Sequence, residues 1–237
     1  MSLLPIRYVS FDCYGTLIDF QVGNVARDRL AARVPAGRMT AFLEDFTAYR
    51  FDEVLGAWKP YPEVLHRSLE RTCRRWGIAF DPTDAQAIVE AVPTWGPHAD
   101  VPAALAKVAE VLPLVILSNA ADSQIRSNVD KLGAPFHAVR TAEQAQAYKP
   151  RFQAFEYMFD ALGCGPEHFM HVSSSLRYDL MSAHDLRIGR RVFVERGHGP
   201  GNPAYGYQAI ADLGELPGLL SSRRPAVTAR HGAGGHD

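Results

Sequence analysis

The chain has 237 residues, 47% of them hydrophobic and 22% charged, and carries a net charge of −1. That is the composition of an ordinary globule of one large or two modest domains, with no field to attract nucleic acid or an anionic membrane surface. The longest apolar stretches, such as Val108 to Asn119, are broken by Glu110 and Pro113 and are too short to span a bilayer.

In chain order, the amino terminus lacks the charged and apolar regions of a signal peptide. A strand is expected over about Arg7 to Asp12, an apolar run that ends in an acid and turns through Gly15-Thr16. Helical spacing follows in Val22, Val25, Ala26 and Leu30, then in Phe42, Phe46, Tyr49 and Arg50, then in Leu65, Leu69, Thr72 and Trp76. Asp81-Pro82 opens a fourth helix reaching about Ala91. From Asp100 the pattern changes. A helix (Val101, Leu105, Val108) leads to a strand at Leu114–Leu117, and a helix (Ile125, Val129, Leu132) to a short strand near His137–Val139. A helix (Phe152, Phe155, Phe159, Leu162) then leads to a strand at Met170–Val172, and a helix (Leu176, Leu180, Ala183) to a strand at Arg191–Val194.

Alternating strands and helices predict a parallel sheet covered on both faces, an α/β Rossmann-like core, with an all-helical unit inserted after the first strand. The expected division is a core of residues 1–19 and 99–220, a helical cap of 20–98 and a mobile tail of 221–237. Three scattered cysteines, Cys13, Cys73 and Cys164, show no metal-type pairing and fit a reducing cytoplasm. Cys13, pointing away from the Asp12 face, is read as packing.

Four polar clusters fall at the carboxyl ends of expected strands, where open α/β sheets bind ligands. They are Asp12 with Thr16, Ser118-Asn119, Lys149 in a loop before a helix, and Ser173-Ser174-Ser175 with Asp179. A carboxylate can attack carbon or phosphorus and form a covalent intermediate, and a nearby ammonium keeps it ionised. Hydroxyl and amide donors can hold developing negative charge, and a second carboxylate can activate water or hold a metal. Each residue alone has a plainer role: Ser118-Asn119 or Asp122 as a helix cap, Lys149 as a solvated loop lysine, Asp179 as an exposed helix residue. Four clusters in order favour function.

The order Asp12-Cys13-Tyr14-Gly15-Thr16, Leu117-Ser118-Asn119, Lys149-Pro150 and Ser-rich loop plus Asp179 resembles the haloacid dehalogenase superfamily, from about Arg7 to Val194. Within it the chain looks most like the 2-haloacid dehalogenase branch, whose first motif also reads Phe-Asp-x-Tyr-Gly-Thr-Leu. The resemblance implies that Asp12 attacks the substrate α-carbon, Lys149 orients Asp12, and water activated by Asp179 hydrolyses the resulting ester. Thr16, Ser118, Asn119 and Ser174 or Ser175 would bind carboxylates and the oxyanion, with Tyr14 beside them. An arginine of the cap would hold the substrate carboxylate or halide; Tyr49-Arg50 fits by position, and a solvated helix arginine fits equally well.

Two positions separate this branch from the Mg²⁺-dependent phosphatases of the superfamily. Their leaving-group acid, two residues after the nucleophile, is Tyr14 here, a poor proton donor at a pKa of about 10. The acid of their fourth motif, which holds the metal, is here a serine of Ser173-Ser174-Ser175-Leu176. No cofactor is therefore expected, Mg²⁺ entering only if the phosphatase alternative held. The expected partner is a small carboxylic acid, with no nucleic acid and no membrane, and a homodimer is admitted. Two departures from the branch leave an alternative open, a relative that uses the same residues on another 2-substituted acid, for example opening a cyclic amino acid at its C–N bond. The tyrosine six residues after the lysine is Phe155, which reads as a core residue, and the fourth-motif loop is one residue longer and lacks its Asn. Trp58, Tyr61 and Trp95 are candidates for the pocket wall or for packing.

Overall fold

The computed structural model describes residues 5–221. The predicted tail, apart from Ser221 at the end of the last helix, lies outside these residues. A six-stranded sheet runs through the molecule in the order β3-β2-β1-β4-β5-β6, every neighbouring pair parallel. Its strands are β1 Tyr8–Phe11, β2 Leu114–Ser118, β3 Phe136–Thr141, β4 Phe169–Ser173, β5 Arg190–Val194 and β6 Gln208–Ile210. Strands β2 and β4 are buried at all five residues, as continuous apolar runs in covered parallel sheets are. Alternation divides β2 between the two faces: Leu114 and Ile116 join one apolar cluster, Val115 and Leu117 the other.

Four helices lie between β1 and β2: α1 Val22–Leu30, α2 Met39–Leu55, α3 Tyr61–Trp76 and α4 Pro82–Ala91. The first three turn their predicted apolar stripes inward, with Val22, Ala26 and Leu30 buried on α1, Phe42 and Phe46 on α2 and Leu65, Leu69 and Thr72 on α3. Asp81 caps α4 by accepting from the Thr83 amide at 2.9 Å. The chain leaves and re-enters the sheet layer through two paired segments. Asp19 N donates to Gly96 O at 2.9 Å and His98 N to Leu17 O at 3.0 Å.

The sheet is covered by α5 Val101–Ala109, α6 Asp122–Val129, α7 Ala142–Ala145, α8 Phe152–Leu162, α9 Met181–Asp185 and α10 Leu216–Ser221. On α8, Phe155 and Phe159 are buried as expected, but Phe152 is 43% exposed, because it opens the helix one turn before the face meets the sheet. The helix expected from Leu176 begins instead as a π turn over Leu176–Leu180 that continues into α9. A widened turn is how a helix absorbs one additional residue, and such turns concentrate at functional sites. Among the described residues no helix is long and apolar enough to cross a membrane.

The chain runs from β1 outward to β2 and β3, then returns to β4 on the other side of β1. The strand order reverses at β1, so a crevice opens at the carboxyl ends of β1, β2 and β4. Those strands end beside one another: Phe11 is in register with Ile116 of β2 and with Val172 of β4.

Candidate active site

Asp12 follows β1 directly, its amide donating to Val172 O at 3.0 Å. The chain then turns back on itself, with Leu17 N and Ile18 N both donating to Cys13 O at 2.8 and 3.0 Å. Gly15 sits at φ +90° in this turn, and a Cβ there would press against the His198 ring at 3.3 Å. The turn returns Thr16 to the strand end, where its hydroxyl donates to Asp12 Oδ2 at 2.7 Å. The Thr16 oxygen in turn accepts from the Ser174 amide at 2.9 Å. Cys13 is buried, and burial drives its thiol pKa well above the usual value, as packing rather than chemistry requires.

Lys149 is 1% exposed. Its ammonium donates to Asp12 Oδ1 at 2.8 Å, Asp179 Oδ1 at 2.7 Å and Leu117 O at 2.8 Å, which uses all three of its protons. The Asn119 side chain clamps the Lys149 backbone from both sides, donating to its carbonyl at 2.9 Å and accepting from its amide at 2.8 Å. Asp179 is fully buried, and Ser173 Oγ donates to its Oδ2 at 3.0 Å.

One ammonium thus serves two buried carboxylates, and they divide unequally. Burial opposes ionisation of Asp179, but Lys149 and the His171 hydrogen bond outweigh it and hold its pKa below the ordinary range. Burial pushes Asp12 up, against the pull of Lys149, and the Asp179 charge adds to the push. Burial also opposes the Lys149 charge, yet the two carboxylates raise its pKa above the ordinary value. Asp12 is therefore the more basic carboxylate of the pair, and a more basic oxygen is a stronger nucleophile when ionised.

Asp12, Asp179 and Lys149 form the floor of a cavity of about 80 Å³. Ser118, Asn119, Ser175 and Tyr14 line its sides, and Phe20, Val54, Tyr61 and Val64 give it an apolar wall. Tyr14 donates its hydroxyl proton to Asn128 Oδ1 at 2.8 Å, and burial raises its pKa. Its proton is directed away from the floor. Across the cavity stands Arg50 of α2, half-buried. The guanidinium lies 5.3 Å from the Phe20 ring centroid and 5.2 Å from that of Phe46. One Nη donates to Thr47 Oγ1 at 3.2 Å, while the buried Nε has no partner.

Most expected site residues therefore come together, and two stand elsewhere. Thr16 and Ser174, expected among the groups that hold substrate, sit behind Asp12 and do not line the cavity. The Ser174 hydroxyl donates to Gly15 O at 2.9 Å, so its role here is to brace the first turn. Neither Ser118-Asn119 nor Asp122 supplies a side-chain cap for α6. Of the three aromatics expected at the pocket wall or in packing, Tyr61 lines the cavity; Trp95 packs edge-on against Phe20 at 5.3 Å, and Trp58 stacks on Tyr148 at 4.8 Å.

Sequence reasoning missed Tyr178, which lines the cavity beside Asp179, and the Ser10–His171 pair behind it. His171 had left one signal, as a polar residue in the middle of a strand buried on both faces. Mg²⁺, which phosphatases of this fold require, does not fit these groups. Asp12 and Asp179 converge on an ammonium, the serine at the fourth-motif position is bound to backbone, and among the described residues no three His, Cys, Asp or Glu side chains are placed to hold an ion.

The model of the haloacid dehalogenase-like hydrolases matches residues 6–186. The chain belongs to that family and is a hydrolase. It is similar to the (S)-2-haloacid dehalogenase of Pseudomonas putida, at 25% identity over 91% of this chain and 98% of the relative. Its fold is similar to that of the L-2-haloacid dehalogenase of Xanthobacter autotrophicus solved with chloropropionic acid covalently bound. The TM-score is 0.71 at 23% identity, over 91% of this chain and 98% of that one. A second L-2-haloacid dehalogenase structure superposes with a TM-score of 0.78 at 22% identity, over 92% of this chain and all of the other.

Proposed function

We propose that the chain displaces a leaving group, halide in the first place, from the α-carbon of a small 2-substituted carboxylic acid by way of an ester on Asp12. The observation that carries this reading is the floor of the cavity. A buried carboxylate lies open to the cavity, oriented by Lys149 and Thr16, with no acid to protonate a leaving alkoxide. A halide leaves without a proton, so a site that keeps Tyr14 turned toward Asn128 loses nothing by it. The names of the relatives point to the same substrate class.

In this mechanism the substrate carboxylate pairs with Arg50, whose planar fork suits a carboxylate. Asp12 Oδ attacks the α-carbon from the side opposite the halide; the new C–O bond forms as the carbon–halogen bond breaks, and that carbon inverts. Asp12 is then a neutral ester. Water next adds to Asp12 Cγ while Asp179 accepts its proton, with Ser118 and the Asn119 region beside the developing oxyanion. Collapse breaks the bond from Cγ to the ester oxygen, and the proton held by Asp179 passes to the product hydroxyl. Asp12, now carrying one oxygen from water, releases the second water proton to solvent and returns to its carboxylate. No metal and no cofactor enters any step.

The four helices between β1 and β2 act in this reading as a cap, residues 20–98. They supply Arg50 and the apolar wall and exclude water when closed. The partner this chemistry requires is its small carboxylic acid substrate. A cytoplasmic setting suits the three free cysteines. The test is a panel of 2-halo acids, cyclic amino acids and phosphate esters, each with and without EDTA. Turnover of a 2-halo acid that survives the chelator is expected. Activity confined to phosphate esters and restored by Mg²⁺ would overturn the proposal.

A further inference from the structure

Ser10 and His171 take no part in the steps above, yet each is a fully buried polar side chain in an apolar strand. They are register partners across β1 and β4. His171 Nδ1 lies 2.9 Å from Ser10 Oγ, and Nε2 lies 3.0 Å from Asp179 Oδ1. The Phe155 ring closes the third side of the imidazole, edge-on at 5.5 Å. An ionised Asp179 only accepts, so Nε2 carries a proton; in the neutral ring this assigns Nδ1 as the acceptor, to which the Ser10 hydroxyl donates.

We infer that His171, held in its Nε2–H tautomer by Ser10, is a positioning residue that aims Asp179 in ester hydrolysis; this rests on the reaction proposed above. Asp179 has three donors. Lys149 is shared with Asp12 and loses that anionic partner once Asp12 is an ester, so its hold on Asp179 changes in mid-reaction. His171 contacts Asp179 and not Asp12, and is pinned to the sheet by Ser10 and Phe155. It keeps the carboxylate in one orientation through both steps. Oδ1 accepts from Lys149 and His171 and Oδ2 only from Ser173, so Oδ2 is the oxygen that keeps acceptor capacity for a proton from the attacking water. Histidine here is selected for a donor at one fixed point, and Ser10 is selected to keep the donor on the correct nitrogen.

Asp179 takes a proton only in the second step, which sets the test. His171→Phe, His171→Gln and Ser10→Ala are compared with wild type on both enantiomers of 2-chloropropionate, by single-turnover kinetics, steady-state kinetics and intact mass. In His171→Phe the rate of ester formation should hold while ester hydrolysis falls about 10- to 100-fold, the scale for losing a supporting partner of a reacting group. Then kcat and KM fall together, kcat/KM is unchanged, and the Asp12 ester accumulates. Gln, whose amide can donate from the place of Nε2, should recover most of the rate. Ser10→Ala should show a smaller loss on the same step, and carries the test if the Phe variant does not fold. A loss of kcat/KM in parallel with kcat, no accumulation of ester, or a Gln variant no better than Phe would reduce His171 to packing and overturn the inference. Wild type that forms no ester with either enantiomer would overturn the reaction itself, a result distinct from normal ester hydrolysis in the variants.

Discussion

Replacing Lys149 with methionine keeps the length and shape of the side chain and removes its charge. The structure predicts a loss of stability that depends on pH. Lys149 is 1% exposed and holds two carboxylates at 2.7 and 2.8 Å, with side-chain exposures of 0% and 11%. Removing it forfeits three charge-assisted hydrogen bonds and leaves two buried like charges without a cation. Relief of the buried ammonium's own desolvation offsets part of this, and removing one partner of a buried pair costs about 3–5 kcal/mol net. For a protein of this size about 4 kcal/mol lowers Tm by about 8–16 °C. The folded variant escapes the repulsion by taking up a proton on one of the two carboxyls, and the unfolded chain does not. The deficit against wild type should therefore be largest at pH 8 and shrink by about 1.4 kcal/mol per unit as pH falls toward 5. Paired thermal melts of Lys149→Met and wild type from pH 5 to 8 measure this. An equal deficit at every pH would mean that Lys149 matters for packing and that the charge arrangement described here is wrong.

Arg50→Lys keeps the charge but loses the planar fork, and should raise KM strongly at a cost on the order of 2 kcal/mol in kcat/KM, about 30-fold. Arg50→Ala should weaken binding at least as much with little change in Tm; near-wild-type kinetics would show that recognition lies elsewhere in the cap. Because burial raises Asp12 and only its ionised form attacks, the acid limb of kcat/KM should lie above the ordinary aspartate value of about 3.9. A limb at or below that value would contradict the unequal sharing of Lys149. In stability the two carboxylates act with opposite sign. The Asp179 contribution is lost as pH falls through its depressed pKa, whereas Asp12 works against folding as pH rises from about 3.9 through its raised pKa. Asp12→Asn should therefore raise Tm at pH 7 while abolishing turnover, and a lowered Tm would count against the raised pKa.

What the sequence revealed of this molecule followed from local rules. An apolar run ending at Asp12, a capping Asp81 and helical stripes such as Leu65, Leu69 and Thr72 are patterns that strands and helices impose directly. The clusters at Ser118-Asn119, Lys149 and Asp179 were legible because parallel strands bring their carboxyl ends together. The short edge strand β6 buries only Ile210, too little apolar surface to mark a sequence. The π turn over Leu176–Leu180 depends on how one additional residue is absorbed against the sheet, which no propensity encodes. Thr16 and Ser174 were placed on the correct loops, but whether a hydroxyl faces the cavity or the neighbouring backbone depends on a rotamer set by long-range contacts. Ser10 and His171 meet across 161 positions of chain, and only the strand register of β1 with β4 brings them together.

The covalent role of Asp12 is tested most directly by one turnover in heavy-oxygen water with enzyme in excess over a 2-halo acid, followed by mass analysis of the Asp12 peptide and of the hydroxy acid. Attack by Asp12 predicts label in the Asp12 carboxylate and none in the first product formed. Label in the product hydroxyl after that first turnover, with Asp12 unlabelled, would mean that water attacks the substrate directly, and would contradict the mechanism.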